Sequence, residues 1–237
     1  MDILEVKNPE LLSVEGEDGN LATGGDQHWY PKEGFIPPGA CGATTASNVL
    51  AYLLRSRPGL FSLARQAGLT GLAEPFPGAK HSKSDYNFEV GGMPEPNTKA
   101  GYIGFMKQVY RFFYPRVGGL MADQFLDGAG DLAKEYKLPL AAECLRVPIA
   151  RQRRPSFADA AAFIGASLEA DIPLAFLILS GGSVASLDTW HWVTVLALDE
   201  GTKLIKVLDN TAVFQADLGV WLGTSIMGGA FVRFTEI

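Results

Sequence analysis

Cys41 stands among small residues in Gly39-Ala40-Cys41-Gly42-Ala43-Thr44-Thr45-Ala46-Ser47-Asn48. Pro37, Pro38 and Gly39 stop a helix from starting earlier. After it Ala46, Val49, Leu50, Leu53 and Leu54 recur at helical spacing until Pro58-Gly59. The pattern places Cys41 at or just before the first turn of a buried helix. Unpaired N–H groups and the positive end of the helix dipole there favour thiolate, the reactive form of cysteine. His191 heads the alternating run His191-Trp192-Val193-Thr194-Val195-Leu196, the one His in an ordered-looking element. Asp209 and Asn210 lie across a hairpin from it. A two-residue Glu200-Gly201 turn sets His191 opposite Asn210, while a longer loop or a bulge moves the register by one. Either Asp209 or Asn210 can therefore fix the imidazole tautomer and steady its charged form. Gln27 precedes Cys41, and its side-chain amide can donate to an oxyanion formed when a carbonyl is attacked. These residue types suit acyl chemistry on a thiol.

The rest of the composition narrows the field. A chain of 237 residues with 47% apolar residues can bury a full core. The net charge of −6 argues against nucleic acid or an anionic membrane as the main partner. The single basic cluster, Arg151-Gln152-Arg153-Arg154, precedes Pro155 and reads as a solvated loop. Three His and two Cys are scattered, without H-E-x-x-H or C-x-x-C, so no metal or cofactor is expected. The second cysteine, Cys144, sits on an apolar stretch and reads as structural. Residues 1–25 lack the apolar core of a signal peptide, and no apolar run reaches spanning length. A cytoplasmic protein is the expectation, although a chain trimmed of its leader has the same look.

The elements that must hold these groups divide the chain in two. Residues 1–25 read as a loosely docked acidic arm, and 26–237 as one domain. Helices are expected from about Cys41 up to Pro58-Gly59 and over Leu60–Ala67, Thr98–Tyr114 and Ala122–Tyr136, the last weakened by Gly128 and Gly130. The Gly- and Pro-rich stretch 71–97, which holds His81, reads as a long loop. Beyond about 138 the character changes. Leu138–Ile149, Pro173–Leu179, Trp190–Leu198, Lys203–Leu208 and Gly229–Thr235 read as strands. A helix over Ser156–Ala170 lies among them, opened by Ser156 with Asp159 three residues on. The predicted class is α+β, a helical lobe over about 26–137 followed by an antiparallel β lobe over about 138–237.

The order Gln27, Cys41, His191, Asp209 or Asn210 resembles the papain-like cysteine peptidases. In that superfamily the Cys opens the central helix of an α lobe, and the His and its Asp or Asn sit on adjacent β strands. The sequence looks closest to the bacterial branch related to double-glycine leader peptidases, where Asp-Gln ahead of a Cys-Gly helix start recurs. The resemblance spans roughly residues 26–210 and is dense only around Cys41 and His191. It implies Cys41 as nucleophile, His191 as general base, Asp209 as orienting residue (with Asn210 the alternative) and Gln27 as oxyanion donor. The 14 residues from Gln27 to Cys41 exceed the spacing usual in that superfamily, and the intervening Gly/Pro loop takes up the excess. A peptide or other amide substrate is the expectation. A transglutaminase-like acyltransferase and an inactive binding module are the alternatives.

Overall fold

The computed structural model describes residues 3–30, 40–75, 95–114 and 119–237. The Pro37-Pro38-Gly39 segment and most of the 71–97 loop, with His81, lie outside the described residues.

Helix α1 (Cys41–Ser56) is the axis of the fold, and all of its residues are buried. It packs on strands β6 (Leu174–Ile178) and β7 (His191–Asp199) and on helices α2 (Pro58–Gln66) and α3 (Lys99–Tyr110). A helix apolar on one stripe needs cover on one side only, but Thr44, Thr45, Ser47, Asn48 and Arg55 also lie inside this one. Buried polar groups must be paired: Thr44 and Ser47 turn back on the Ala40 and Ala43 carbonyls, while Asn48 and Arg55 bond to other parts of the chain. Arg55 shows the principle. Its guanidinium donates to the carbonyls of Leu11 at 2.6 Å and Glu95 at 2.5 Å and, more loosely, to Glu74 at 3.5 Å. One side chain thus holds the N-terminal segment and both flanks of the 75–95 stretch.

The large sheet is antiparallel and runs β5-β10-β6-β7-β8-β9, where β5 is Leu140–Val147, β8 Leu204–Asp209, β9 Ala212–Asp217 and β10 Gly229–Glu236. Strand β1 (Ile3–Glu5) joins it by pairing with Ala197–Asp199 of β7. A small sheet, β3-β2-β4, is formed by β2 (Ser13–Glu15), β3 (Leu21–Thr23) and β4 (Asn97–Thr98). Residues 3–25 are therefore tied to the fold through both sheets rather than lying loosely on it. Leu11, Leu12 and Val14 enter the core, Lys7 N donates to Asp171 Oδ1, and Glu5 pairs with Lys206 at 2.5 Å.

Helix α4 (Ala122–Glu135) keeps Gly128 for packing. A Cβ there would lie 2.5 Å from the Phe112 carbonyl, so the glycine that weakens the helix lets it approach the end of α3. Helix α5 (Phe157–Glu169) opens with the Ser156–Asp159 capping box and packs on β1, β6, β7 and β10. Helix α6 (Leu218–Thr224) follows β9 directly.

The connection between β7 and β8 differs from the expected two-residue turn. Asp199 pairs with Leu204, so the loop spans residues 200–203, with Lys203 at φ 61°. Asp199 Oδ1 accepts from Gly201 N and Thr202 N and stabilises the longer turn. A bulge then shifts the register by one between Val195 and Ala197.

Arg55→Met removes the guanidinium that bonds the Leu11, Glu74 and Glu95 carbonyls and leaves Leu11 O only the long contact from Asn97 Nδ2 at 3.5 Å. The expected loss is roughly 2–5 kcal/mol in unfolding free energy, read from urea denaturation midpoints against the unchanged chain.

Candidate active site

Cys41 is the first residue of α1, and Ala40 supplies no side-chain cap. The N–H groups of that first turn have no partner within the helix, since its regular bonding begins with Thr44 N to Ala40 O at 2.9 Å. Gly42 lets the sheet close against this helix start. A Cβ on it would lie 2.6 Å from Leu120 Cδ2 and 3.2 Å from Trp192 Cδ1. Trp192 is fixed there by its indole N–H on the Leu120 carbonyl at 2.7 Å and by stacking on Phe125.

His191 is the first residue of β7 and Asp209 the last of β8, so both stand at the same end of the sheet. Their facing is decided by the bulge. Before it Ala197 pairs with Lys206; after it Val195 pairs with Val207 and Thr194 with Leu208. One step further in that register, Asp209 falls opposite Val193 and becomes the diagonal neighbour of His191 on the same face. Without the shift Asn210 would take that position. His191 Nε2 and Asp209 Oδ1 are 2.7 Å apart, with both side chains largely buried. That contact leaves Nδ1 as the nitrogen free for another partner, and Cys41 lies within interacting reach of the ring.

Electrostatics at the imidazole pull in two directions. Burial, the largest effect, disfavours the charged ring. The hydrogen bond to Asp209, the interaction with Cys41 and the charges of both together outweigh burial and raise the His191 pKa to about 10.

Asn210 and Gln27 meet each other rather than the imidazole. Asn210 and Thr211 have φ of 43° and 70° and form the two-residue turn into β9, a backbone geometry that Asn tolerates well. The Asn210 side-chain oxygen accepts from Gln27 N at 3.1 Å. Gln27 begins a short 3-10 turn, Gln27–Trp29, capped by Asp26. Its backbone is thereby moored one residue from Asp209, and no side-chain contact to Cys41 is present among the described residues. Cys144 is remote in role. It lies on β5 opposite Val232 of β10, is a free thiol, and burial raises its pKa.

Two further residues bear on the site. Asn48, two turns after Cys41, accepts from Gly25 N and the Tyr102 hydroxyl at 2.8 and 2.9 Å and reaches Thr194 Oγ1 at 3.4 Å. It joins α1 to the N-terminal segment, α3 and β7, and it lines the same small cavity as Cys41, Trp192 and Asp209. Trp190, directly before His191, is 52% exposed and held at φ 58°, a strained conformation for an aromatic residue. Spacing gave no sign of Asn48, and Trp190 reads from sequence only as the start of a strand. Among the described residues no group of His, Cys, Asp and Glu is arranged to hold a metal ion, and no helix is long and apolar enough to cross a membrane.

No protein-family model and no curated protein matches the chain. Among solved structures, it is similar to the peptidase domain of Streptococcus ComA, a bifunctional ABC transporter involved in a quorum-sensing pathway. Identity there is 9% and the TM-score 0.35, over 56% of this chain and 78% of that one. It is also similar to the N-terminal peptidase C39-like domain of the toxin secretion ATP-binding protein from Vibrio parahaemolyticus. In that case identity is 11% and the TM-score 0.30, over 56% of this chain and 82% of that one.

Because the folded pKa of His191 lies above the ordinary 6.5, protonation of this ring favours the folded state. That stabilisation is complete below the ordinary value and is lost as pH rises through about 10. Asp209→Asn removes the carboxylate that raises it. In an NMR titration the His191 ring should then change protonation at a lower pH than in the unchanged chain. Denaturation midpoints should also lose part of their decline on the alkaline side.

Proposed function

We propose that this chain is a thiol hydrolase that cleaves a peptide or other amide bond through Cys41, His191 and Asp209. The observation that carries the proposal is the His191 imidazole, held by Asp209 on Nε2 at 2.7 Å, with Cys41 at the open N-terminus of a buried helix among the groups that favour its charged form. A His satisfied only for the sheet's sake would need neither a carboxylate nor a thiol beside it.

In the proposed reaction His191 takes the Cys41 proton on Nδ1, and the sulfur attacks the acyl carbon. The carbonyl oxygen gains the negative charge and is met by the Cys41 backbone N–H and the Gln27 side-chain amide. Collapse of that intermediate breaks the C–N bond, and the His191 proton goes to the departing amine. Water, deprotonated by the same imidazole, then attacks the thioester and releases the acid and the thiol. Asp209 stays ionised and orients the ring throughout. The mooring of Gln27 N on Asn210 supports its place at the oxyanion, and the exposed Trp190 offers an apolar wall beside the base.

Cys41→Ala should abolish covalent labelling by a thiol-reactive acyl probe and hydrolysis of a peptide amide, whereas Cys144→Ala should keep both. Labelling that follows Cys144 instead would remove the proposal. An acyltransferase on the same residues would give the amine-transfer product in place of the free acid, which mass spectrometry of the products separates. Gln27→Ala should lower kcat by about 10²–10³ with little change in thermal midpoint, as for the loss of one oxyanion donor.

A further inference from the structure

At the other end of β8 from Asp209 the surface opens into a cavity of about 580 Å³. Six residues of strand, about 20 Å at the usual rise, separate it from the catalytic groups. Its walls come from the 3-10 turn Arg151–Arg153, the start of α5, Lys203 of the 200–203 loop, and α6.

The sequence suggests that Arg151-Gln152-Arg153-Arg154 is a solvated loop, and the structure corrects this for Arg154. Its guanidinium donates to the carbonyls of Pro148, Leu222 and Ile149 at 2.9, 3.0 and 3.2 Å, so it forms a rigid part of the wall. Burial and then the charge of Arg151 hold its pKa below the ordinary guanidinium value. Arg151 and Lys203 are exposed and have no ion-pair partner among the described residues. The one carboxylate in the lining, Asp217, accepts from Val220 N at 2.8 Å as the cap of α6. Three cations and one occupied carboxylate thus share a cavity on a chain whose net charge is −6.

The cavity also has an apolar surface. Phe157 lies under Lys203, whose Nζ is 5.2 Å from the ring centroid, and Pro155, Val220 and Leu222 continue it. Two glycines four residues apart on α6 leave the space open. A Cβ on Gly219 would lie 2.9 Å from Lys203 Cδ, whereas one on Gly223 would meet nothing within 4 Å. A bare phosphate or carboxylate would fill only a small part of such a volume and touch none of the apolar wall.

We propose that this cavity binds an anionic group carried on a flat apolar body. Arg151 and Lys203 hold the charge, and Phe157 and Val220 hold the body. Two sources share that chemistry: a free aryl phosphate or carboxylate, and adjacent acidic and aromatic side chains of a peptide. The site does not depend on the Cys41 chemistry.

Isothermal titration calorimetry on the full chain tests it, with phenyl phosphate, inorganic phosphate and N-acetyl-Asp-Phe-amide as probes. Phenyl phosphate or the peptide should bind at least about tenfold more tightly than inorganic phosphate. That affinity should fall about tenfold or more in Arg151→Gln/Lys203→Gln and in Gly223→Leu, and persist in Cys41→Ala. Tighter binding of the peptide assigns a peptide source, and tighter binding of phenyl phosphate a free small molecule. Failure of both aromatic probes to bind better than inorganic phosphate overturns the proposal. So does undiminished binding in either cavity variant. Exposed Arg151 and Lys203 and the open Gly223 position make all the variants compatible with folding, checked by thermal midpoint.

Discussion

A helix buried on every side, with polar side chains along it, is the constraint from which the rest follows. Each of those groups costs free energy unless a partner reaches it; Thr44 and Ser47 turn back on the Ala40 and Ala43 carbonyls, but three longer side chains each recruit other parts of the chain. Asn48 gathers the N-terminal segment, α3 and β7. Tyr52 donates to Asp171 and receives Asn8 N, tying the end of α5 to the first residues. Arg55 holds three carbonyls from distant stretches. Apolar packing alone would permit the helix to turn or slide against its neighbours. These directional contacts fix its rotation and depth, and with them the position of the thiol at its first turn.

The other half of the site is set by a single irregularity in the sheet. Strand pairing alternates faces, so a one-residue shift exchanges which neighbour shares a face with His191. The bulge between Val195 and Ala197 makes that exchange. It brings a carboxylate to the imidazole and leaves Asn210 to the turn, where its tolerance of positive φ and its side-chain acceptor are both used. The loss of one ladder position is the cost of this placement.

Helices α1, α3, α4 and α5 are legible in the sequence because each combines a 3.6-residue apolar pattern with a recognisable start, such as Thr98 or the Ser156–Asp159 pair. The α+β division is legible for the same reason, through the change of period after about residue 138. Strands β1, β2 and β3 are not, since three residues each are too few to show a period of two. Strand β9 lies at the edge with one of its six residues buried, and it gives no clear alternation. The bulge leaves no trace either, because Val195, Leu196, Ala197 and Leu198 are all apolar. Spacing therefore kept Asp209 and Asn210 equal as partners for His191. Nor could it foresee that Arg154 would bond to backbone carbonyls while its neighbour Arg151 stayed exposed.

The pairing of β1 with the far end of β7 joins residues nearly two hundred positions apart. During synthesis the N-terminal segment leaves the ribosome long before its partner strand exists. Leu11, Leu12 and Val14 must wait in that interval without a finished core. Contacts of such long sequence separation slow folding, because a large loop has to close before they form. The segment that steadies the mature protein thus stays open to aggregation or to a chaperone until its partner strand has been made.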